Sequence, residues 1–177
     1  FSITAGNDAG VFAINAASGA ITVLNNATLD YETTPQYSLT VQVEDDNTAG
    51  TPGILSDTAT ITIDVTNINE APVVNDQTFT IAENTSLASP VGTVVATDPD
   101  ANDKLTYSIT AGNTGNVFGI NSDTGAIGVV GALDYETTPQ YSLTVQVKDD
   151  NKAGSGNGLL SDTATITINV TNVNEAP

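Results

Sequence analysis

Closely spaced pairs of carboxylate side chains are the residues of this sequence whose types and spacing best suit a chemical task. Asp98 and Asp100 form an Asp-x-Asp pair, and Asp30 and Glu32 form an Asp-x-Glu pair. Calcium takes about six to eight oxygen ligands, often from carboxylates two residues apart together with backbone carbonyls and Asn amides. Without a cation, charges packed together in this way repel one another strongly. The spacing therefore favours the binding of a hard divalent cation.

The competing interpretation is that these acidic groups are ordinary turn residues, since Asp and Asn favour turns for local hydrogen-bonding reasons. For a single Asp that interpretation is the better one. It explains poorly why the acidic groups recur at strand ends, where a β-sandwich gathers them at its poles. They do so at Glu83, at Asp134 and Glu136, and at Asp149 and Asp150.

The composition of the chain narrows the classes of function. The 177 residues carry 21 Asp and Glu against three Lys and Arg, a net charge of −18, and they include no Cys and no His. A surface this acidic repels nucleic acid and anionic membranes. The absence of His and Cys removes the common zinc and copper ligands, the commonest general base and the strongest nucleophile. No run of about 18 apolar residues is present, so we expect no membrane insertion.

Internal repetition organises the chain. The segment 29–43 recurs letter for letter at 133–147, and the segment 56–63 recurs at 161–168. An offset of roughly 100 residues is a domain length rather than a solenoid repeat. We therefore predict two domains, residues 1–71 as a repeat that lacks its first two strands and residues 72–177 as a complete repeat. We expect the incomplete repeat to be completed by strands from another chain or else to be poorly ordered, because it exposes a sheet edge and part of its core.

Alternation of apolar and polar residues predicts β-structure throughout. Tyr141, Leu143 and Val145 alternate with polar residues, the period-two pattern of a half-buried strand. About seven strands in about 105 residues are typical of an immunoglobulin-like sandwich. The predicted fold class is therefore all-β, with tandem immunoglobulin-like Greek-key β-sandwiches. The other predicted strands lie at 79–81, 91–97, 105–109, 117–120, 126–130 and 164–171.

Five short motifs, in this order along the chain, resemble those of the cadherins, specifically the cadherin-like repeats of bacterial surface proteins. Residues 69–72 (Asn-Glu-Ala-Pro) resemble the end of the Asp-x-Asn-Asp-Asn-x-Pro linker. Residues 82–84 (Ala-Glu-Asn) resemble the family's Pro-Glu-Asn, and residues 98–100 its Asp-x-Asp. Residues 133–136 (Leu-Asp-Tyr-Glu) resemble Leu-Asp-Arg-Glu, and residues 147–149 resemble the acidic end of the sixth strand.

The resemblance implies a calcium cluster at each junction between repeats, with about three divalent ions bound to carboxylate and amide oxygens. The linker departs from the family pattern at Asn67 and Glu70, which makes two ions the alternative. The implied ligands of the intact junction are Asp30, Glu32, Asn67, Asn69, Glu70, Asp98, Asp100, Asn102 and Asp149. Those of the following junction are Glu83, Asp134, Glu136, Asn174 and Glu175, and Asp45 belongs to the preceding junction.

The function favoured by the sequence is a calcium-binding, calcium-rigidified extracellular spacer or adhesion module of a larger bacterial surface or secreted protein. Its expected partners are other repeats of the same polypeptide, with self-association or strand exchange through the first repeat. The alternative is a calcium-dependent carbohydrate-binding module of a secreted polysaccharide-degrading enzyme. Tyr31 and Tyr135 are the aromatic residues best placed to stack on a sugar in that case. We expect no catalysis, because every acidic pair has a place in a calcium site.

Overall fold

The structure is a computed structural model that describes residues 1–24, 29–50, 53–152 and 155–175. The chain divides into two compact units, Phe1–Asn67 and Ile68–Pro177. Within the described residues the regular structure is β-strand, apart from one 3₁₀ turn at Thr114–Asn116. No helix in that part of the chain is long and apolar enough to cross a bilayer. The repeated Asn-Glu-Ala-Pro motif at 174–177 is described only at its first two residues.

The first unit contains five described strands in two small sheets. Strand β4 lies between β1 and β5 and is antiparallel to both, and β2 pairs with β3. Val11, Phe12 and Leu39 form its buried core. The strands are β1 (Ser2–Ala5), β2 (Phe12–Ile14), β3 (Ile21–Val23), β4 (Gln36–Glu44) and β5 (Ser56–Asp64).

The second unit contains nine strand segments. The larger sheet has the order β10-β13-β14-β7, in which β7 runs parallel to β14, and β11-β12-β8 form the facing antiparallel sheet. A short antiparallel pair joins β6 to β9. The segments are β6 (Val73–Val74), β7 (Gln77–Ala82), β8 (Pro90–Thr93), β9 (Ala96–Thr97), β10 (Thr106–Ala111), β11 (Phe118–Ile120), β12 (Ala126–Val129), β13 (Gln140–Lys148) and β14 (Ser161–Thr171).

The nine segments amount to seven strands, because the first and second strands of the unit are each broken in two. The single strand predicted at 91–97 is one of these, and it is interrupted between β8 and β9. The buried Val94 donates its main-chain N–H to the carbonyl of Gly125 at 2.9 Å, whereas the N–H of Val95 goes to the side chain of Gln77 at 3.1 Å. The two halves therefore bond to different parts of the sandwich. The predicted β-sandwich is confirmed, with this break as a correction to one strand.

Alternating apolar side chains of β13 and β14 form the centre of the core in the second unit. Leu143, Val145, Ile166 and Ile168 are fully buried between the sheets. Burying each such side chain contributes about 1.5–3 kcal/mol. Their polar neighbours point to the other face of the sheet, because side chains alternate along a strand. This packing holds the strand ends, and the loops that follow them, in fixed positions.

One end of the second unit gathers the loops that carry most of its acidic residues. Lys148 at the end of β13 pairs with Thr106 at the start of β10 and with Ser161 at the start of β14. The loops 98–105, 149–152 and 155–160 therefore meet at one end of the larger sheet. Segment 68–72 enters there as well, since Ile68 bridges to Ser155. We call this end the N-terminal pole.

The opposite end of the second unit is formed where β7 and β14 finish side by side. Ala82 pairs with Thr171, and Gln140 at the start of β13 pairs with Asn169. The residues that follow β7 and β14 therefore meet those that precede β13. We call this end the C-terminal pole.

Strands of nearly identical sequence are buried differently in the two units. Ile61 of β5 is 37% exposed, whereas Ile166, its counterpart in β14, is 0% exposed. Val43 is 41% exposed and its counterpart Val147 is 0% exposed. In the second unit β7 pairs with β14 and β8 extends the facing sheet. Among the described residues of the first unit no strands correspond to β7 and β8, and we call the face that such strands would cover the open face.

Candidate metal centre

Three carboxylates converge at the N-terminal pole of the second unit. One carboxylate oxygen from each of Asp98, Asp103 and Asp149 lies within 4.8 Å of the others. Asp98 directly follows β9, and Asp149 directly follows β13. Asp149 is 3% exposed, and the other two are half-buried. We call these three residues the N-terminal cluster.

Main-chain N–H groups orient each carboxylate of the N-terminal cluster. Both oxygens of Asp149 accept from the N–H of Leu160 at 3.0 Å. Asp103 accepts from the N–H of Lys152 at 2.8 Å. Asp98 accepts from the N–H of Asp100 at 3.0 Å. These bonds hold the carboxylates close together without supplying a full positive charge.

The charge within the cluster is not balanced by the protein groups that surround Asp98. Burial raises the pKa of the Asp98 carboxyl, and the negative charges of Asp100, Asp103 and Asp149 raise it further, against a lowering by the Asp100 N–H. A raised carboxyl pKa means that the charged form is disfavoured where it stands. A bound cation removes that conflict.

The buried side-chain oxygen atoms at this pole that have no hydrogen-bond partner include Oδ2 of Asp98 and Oδ1 of Asn69. Asn69 is 1% exposed, and its Nδ2 donates to Oδ2 of Asp149 at 2.9 Å, which places it against the cluster. Buried polar atoms are nearly always hydrogen-bonded, so an unpartnered one calls for an explanation. Carboxylate and amide oxygens are the ligands that calcium prefers, and the residues of this pole therefore fit that ion.

Asp100 and Glu70 form a second acidic pair at the same pole. Asp100 is buried, and its Oδ2 accepts from the main-chain N–H of Glu70 at 2.8 Å. Its carbonyl accepts from the N–H of Asp103 at 3.0 Å, which closes the turn 100–103. A carboxylate oxygen of Glu70 lies within 4.8 Å of one from Asp100. Within the Asp-x-Asp pair, Asp98 therefore lies against Asp103 and Asp149, whereas Asp100 lies against Glu70.

A second cluster lies at the C-terminal pole and consists of Glu83, Asp134 and Glu136. One carboxylate oxygen from each lies within 4.8 Å of the others. Glu83 is buried and accepts from the N–H of Tyr135 at 2.7 Å and from that of Val173 at 2.6 Å. The side chain of Glu83 therefore joins the end of β7 to the residues before β13 and after β14. We call these three acidic residues the C-terminal cluster.

The two exposed members of the C-terminal cluster are positioned by local hydrogen bonds. Asp134 accepts from the hydroxyl of Thr137 at 2.7 Å and from its N–H at 2.9 Å. These bonds lower the pKa of the Asp134 carboxyl, and the bond from the Thr137 hydroxyl has the largest effect. Glu136 accepts from Nδ2 of Asn172 at 2.8 Å. The lowered pKa favours the charged form of Asp134, which is the form that a cation requires.

The first unit repeats part of this arrangement. Asp30 accepts from the hydroxyl of Thr33 at 2.8 Å and from its N–H at 3.1 Å, and these bonds lower the pKa of the Asp30 carboxyl. Glu32 is exposed in the same turn. Asp45 accepts from the N–H of Leu55 at 3.2 Å, as Asp149 does from Leu160.

The remaining predicted residues are exposed or half-buried. Asn102 is exposed in the turn 100–103, Asn67 is half-buried, and Asn174 and Glu175 are exposed after β14. Sequence reasoning missed Asp103, which belongs to the N-terminal cluster although it lies outside the Asp-x-Asp spacing. Its place in the acidic run 98–103 was the available signal.

The chain is similar to cadherins along its length. The family model of the cadherin domain matches residues 1–66 and 77–171. Protocadherin Fat 1 of Homo sapiens is 40% identical over 180 residues, which cover 99% of this chain and 4% of that protein. Cadherin-23 of Homo sapiens is 39% identical over 155 residues, which cover 85% of this chain and 4% of that protein. The chain thus spans a small fraction of these relatives.

Solved cadherin structures have the same fold. Protocadherin gammaB7 EC3–6, described as a cis-dimer, superposes with a TM-score of 0.70 at 27% identity and covers 96% of this chain and 40% of that chain. Mouse cadherin-23 EC22–24 superposes with a TM-score of 0.67 at 25% identity and covers 93% of this chain and 51% of that chain. With a family match over most of its residues, the chain belongs to the cadherin domain family.

Proposed function

We propose that this chain is a calcium-binding, calcium-rigidified segment of an extracellular spacer or adhesion protein. The observation that carries the proposal is the N-terminal cluster, where one buried and two half-buried carboxylates face one another and oxygen atoms of Asp98 and Asn69 lack a partner. The relatives' names support the adhesion role, and solved relatives are described as extracellular cadherin domains. The bacterial source that the sequence resemblance implies stays a prediction.

The energetic reason for a cation is the repulsion within each cluster. In the N-terminal cluster, two unit charges at a separation of 4.8 Å repel by about 3.5 kcal/mol at an effective dielectric constant near 20. In the C-terminal cluster the repulsion is weaker, because solvent screens the exposed Asp134 and Glu136. A divalent ion converts this repulsion into attraction, and we infer that each pole tightens when the ion binds.

The residues that would hold the ions follow from the geometry of each unit. At the N-terminal pole they are Asp98, Asp103, Asp149 and the Oδ1 atom of Asn69, with Glu70 and Asp100 beside them. At the C-terminal pole they are Glu83, Asp134 and Glu136. Asp30 and Glu32 occupy in the first unit the sequence positions of Asp134 and Glu136, and we assign them the same role.

Ion binding at the N-terminal pole stiffens the segment through which the chain enters the second unit. Asn69 and Glu70 are bonded to Asp149 and Asp100 respectively. Holding these carboxylates therefore also holds segment 68–72. The result is a module whose stiffness depends on calcium, which suits projection of other domains from a surface and does not involve catalysis.

Calcium titration of the chelator-treated protein tests this proposal. We expect binding of more than one ion, together with a rise in melting temperature that grows with calcium concentration, because a ligand that binds only the folded state stabilises it. Magnesium at the same concentration is the control, since its smaller size requires near-ideal octahedral geometry. Absence of both heat and stabilisation with calcium would show that the clusters are solvated turns.

Self-association through the open face of the first unit is a second candidate activity. The exposure of Val43 and Ile61 favours this face as an interaction site, because their counterparts in the second unit are core residues. Exposed apolar sheet faces mark interaction sites. A relative, protocadherin gammaB7 EC3–6, is described as a cis-dimer. We propose that this face accepts strands from a second copy, which restore the cover that β7 and β8 give the second unit.

Sedimentation at increasing protein concentration tests the strand-exchange proposal. We expect a dimer that the exchange Ile61→Asp abolishes, because a charge on the open face cannot be buried without cost. Leu87→Asp is the matched control, since Leu87 is an exposed apolar residue of the second unit. A wild-type chain that stays monomeric at high concentration contradicts this role.

The carbohydrate-binding alternative gains no support from the aromatic residues. Tyr135 packs against the core of the second unit, so its ring is not a free stacking platform. Tyr31 is exposed but stands in a turn whose side chains bond to one another, as Asp30 does to Thr33. The positions of these two rings therefore favour the calcium-rigidified module over a sugar-binding one.

A further inference from the structure

Asn157 and Gly158 form the one Asn-Gly pair in the sequence. They lie in the loop between β13 and β14, at the N-terminal pole, and both are exposed. Glycine has no Cβ, so its main-chain nitrogen is approached more freely by the preceding side chain than that of any other residue. An Asn-Gly pair in an exposed loop therefore suits attack of that nitrogen on the Asn side-chain carbon.

The loop that contains this pair surrounds Asn69. The N–H of Asn69 donates to the carbonyl of Ser155 at 3.1 Å, and Nδ2 of Asn157 donates to the carbonyl of Asn69 at 3.1 Å. Nδ2 of Asn69 donates to the carbonyl of Gly158 at 2.9 Å. We call these three hydrogen bonds the Asn69 clamp. The same Nδ2 also bonds Asp149, so the clamp positions a member of the N-terminal cluster.

We propose that Asn157 is a deamidation site and that its conversion opens the Asn69 clamp. The main-chain nitrogen of Gly158 attacks Cγ of Asn157, the N–Cγ bond forms, and the Cγ–Nδ2 bond breaks. Ammonia leaves with the proton from the Gly158 nitrogen, and a five-membered succinimide remains. Water then opens the ring at either carbonyl, which yields aspartate or isoaspartate at position 157.

Either product removes one bond of the clamp and opposes its re-formation. A carboxylate has no N–H to donate, so a negatively charged oxygen faces the carbonyl oxygen of Asn69 where Nδ2 donated before. The isoaspartate product also adds a carbon to the main chain between 157 and 158, which displaces the Gly158 carbonyl that Asn69 uses. Both products add a negative charge to a pole that already holds the three carboxylates of the N-terminal cluster.

The clamp itself protects Asn157. Its Nδ2 is engaged by Asn69, and the N–H of Gly158 donates to the carbonyl of Gly156, so both bonds must open before the attack. The deamidation rate therefore follows how often the pole opens. This part of the inference rests on the proposed function, because calcium held by Asp149 and Asn69 keeps the pole closed and slows the reaction.

Mass spectrometry of the whole chain, incubated in mildly alkaline buffer with calcium or with chelator, tests the proposal. Trypsin cuts after Lys152, and the peptide that follows contains Asn157 together with Asn169, Asn172 and Asn174. We expect a mass gain of about 1 Da that fragmentation locates at Asn157 before the other three, and a rate several-fold higher in chelator.

The outcomes distinguish two parts of the proposal, the deamidation site at Asn157 and its protection by the Asn69 clamp. Equal or slower conversion at Asn157 than at Asn172 and Asn174 overturns the deamidation site. Conversion at Asn157 at one rate with and without calcium, in a protein that binds calcium by titration, overturns the protective clamp. If titration detects no calcium binding, the proposed function fails instead, and the mass gain at Asn157 decides the deamidation site by itself.

Variants test the effect of the product on the pole. We expect Asn157→Asp to lower the melting temperature in chelator by more than Asn157→Ala, because both remove the donor to Asn69 but only the first adds charge. Asn116→Asp is the matched control, since Asn116 is exposed in the 3₁₀ turn and takes no part in the clamp. Equal melting of all three variants and the wild type contradicts a role of the clamp in stability.

Discussion

Replacing Asp149 by Asn is the sharpest perturbation of the N-terminal cluster, because it changes one charge on a side chain that is buried and fully oriented. Asp149 accepts from the N–H of Leu160 and from Nδ2 of Asn69, and it lies within 4.8 Å of Asp98 and Asp103. In chelator two effects oppose each other. The exchange weakens hydrogen bonds to a charged group, worth about 1.5–3 kcal/mol. It also relieves repulsion of up to about 3.5 kcal/mol for each neighbouring carboxylate before solvent screening.

These effects are of similar size, so we expect the melting temperature of Asp149→Asn in chelator to stay close to that of the wild type. In calcium the balance changes, because the variant lacks one charged ligand. Changes to supporting residues alone weaken metal binding by about 10- to 100-fold, and loss of a ligand costs at least that much. The expected loss of binding free energy is therefore about 1.4–2.8 kcal/mol or more at this site.

Titration calorimetry and melting with and without calcium measure this prediction. The stabilisation by calcium should shrink in Asp149→Asn, and the tightest binding step should weaken. Asp8→Asn is the matched control, because it makes the same charge change at an exposed position of the first unit. An unchanged dissociation constant in Asp149→Asn, with the same rise in melting temperature as the wild type, would falsify the assignment of Asp149 as a ligand.

Two other predictions follow from the charges and from the packing. In chelator, the pKa of the Asp98 carboxyl is raised in the folded protein above its ordinary value of 3.8, so the folded protein binds a proton there more tightly than the unfolded chain does. This group therefore contributes stability below the unfolded pKa, and the contribution is lost as pH rises through the folded pKa. Melting in chelator across the acidic range should show this component in the wild type and lose it in Asp98→Asn, and a pH profile shared by both proteins contradicts it. Ile166→Ala should cost about 2–5 kcal/mol of unfolding free energy, as fully buried Ile residues do, whereas Ile61→Ala at the matching position should cost much less, because Ile61 is 37% exposed. Chemical denaturation of both variants measures the difference, and equal losses argue against an open face on the first unit.

Much of the candidate site was predictable from sequence because its acidic residues stand at strand ends. Period-two alternation placed the ends of β13 and β14, short-range spacing singled out Asp98 and Asp134, and the resemblance to the cadherin motifs added Asp149. What spacing does not reveal is which of these side chains share a site. Asn69 and Asp149 are 80 residues apart in the chain, and their hydrogen bond exists only because the strands bring two loops to one pole. Asp103 joined the cluster for the same reason.

The buried role of Glu83 also depended on long-range packing. The sequence marked it as an acidic residue after a strand, whereas the structure shows it accepting from the N–H groups of Tyr135 and Val173. These bonds give Glu83 a structural task at the C-terminal pole in addition to its place in the C-terminal cluster. Only the meeting of β7, β13 and β14 creates it.

The repeated segments separate most clearly what sequence decides from what tertiary structure decides. Residues 56–63 and 161–168 are identical and both form strands, because their alternating Ile and Thr residues favour β-structure in either place. Yet Ile61 is exposed where Ile166 is buried. Secondary structure here follows from local side-chain chemistry, which the two copies share. Burial follows from the neighbouring strands, and β7 and β8 cover only the second copy among the described residues.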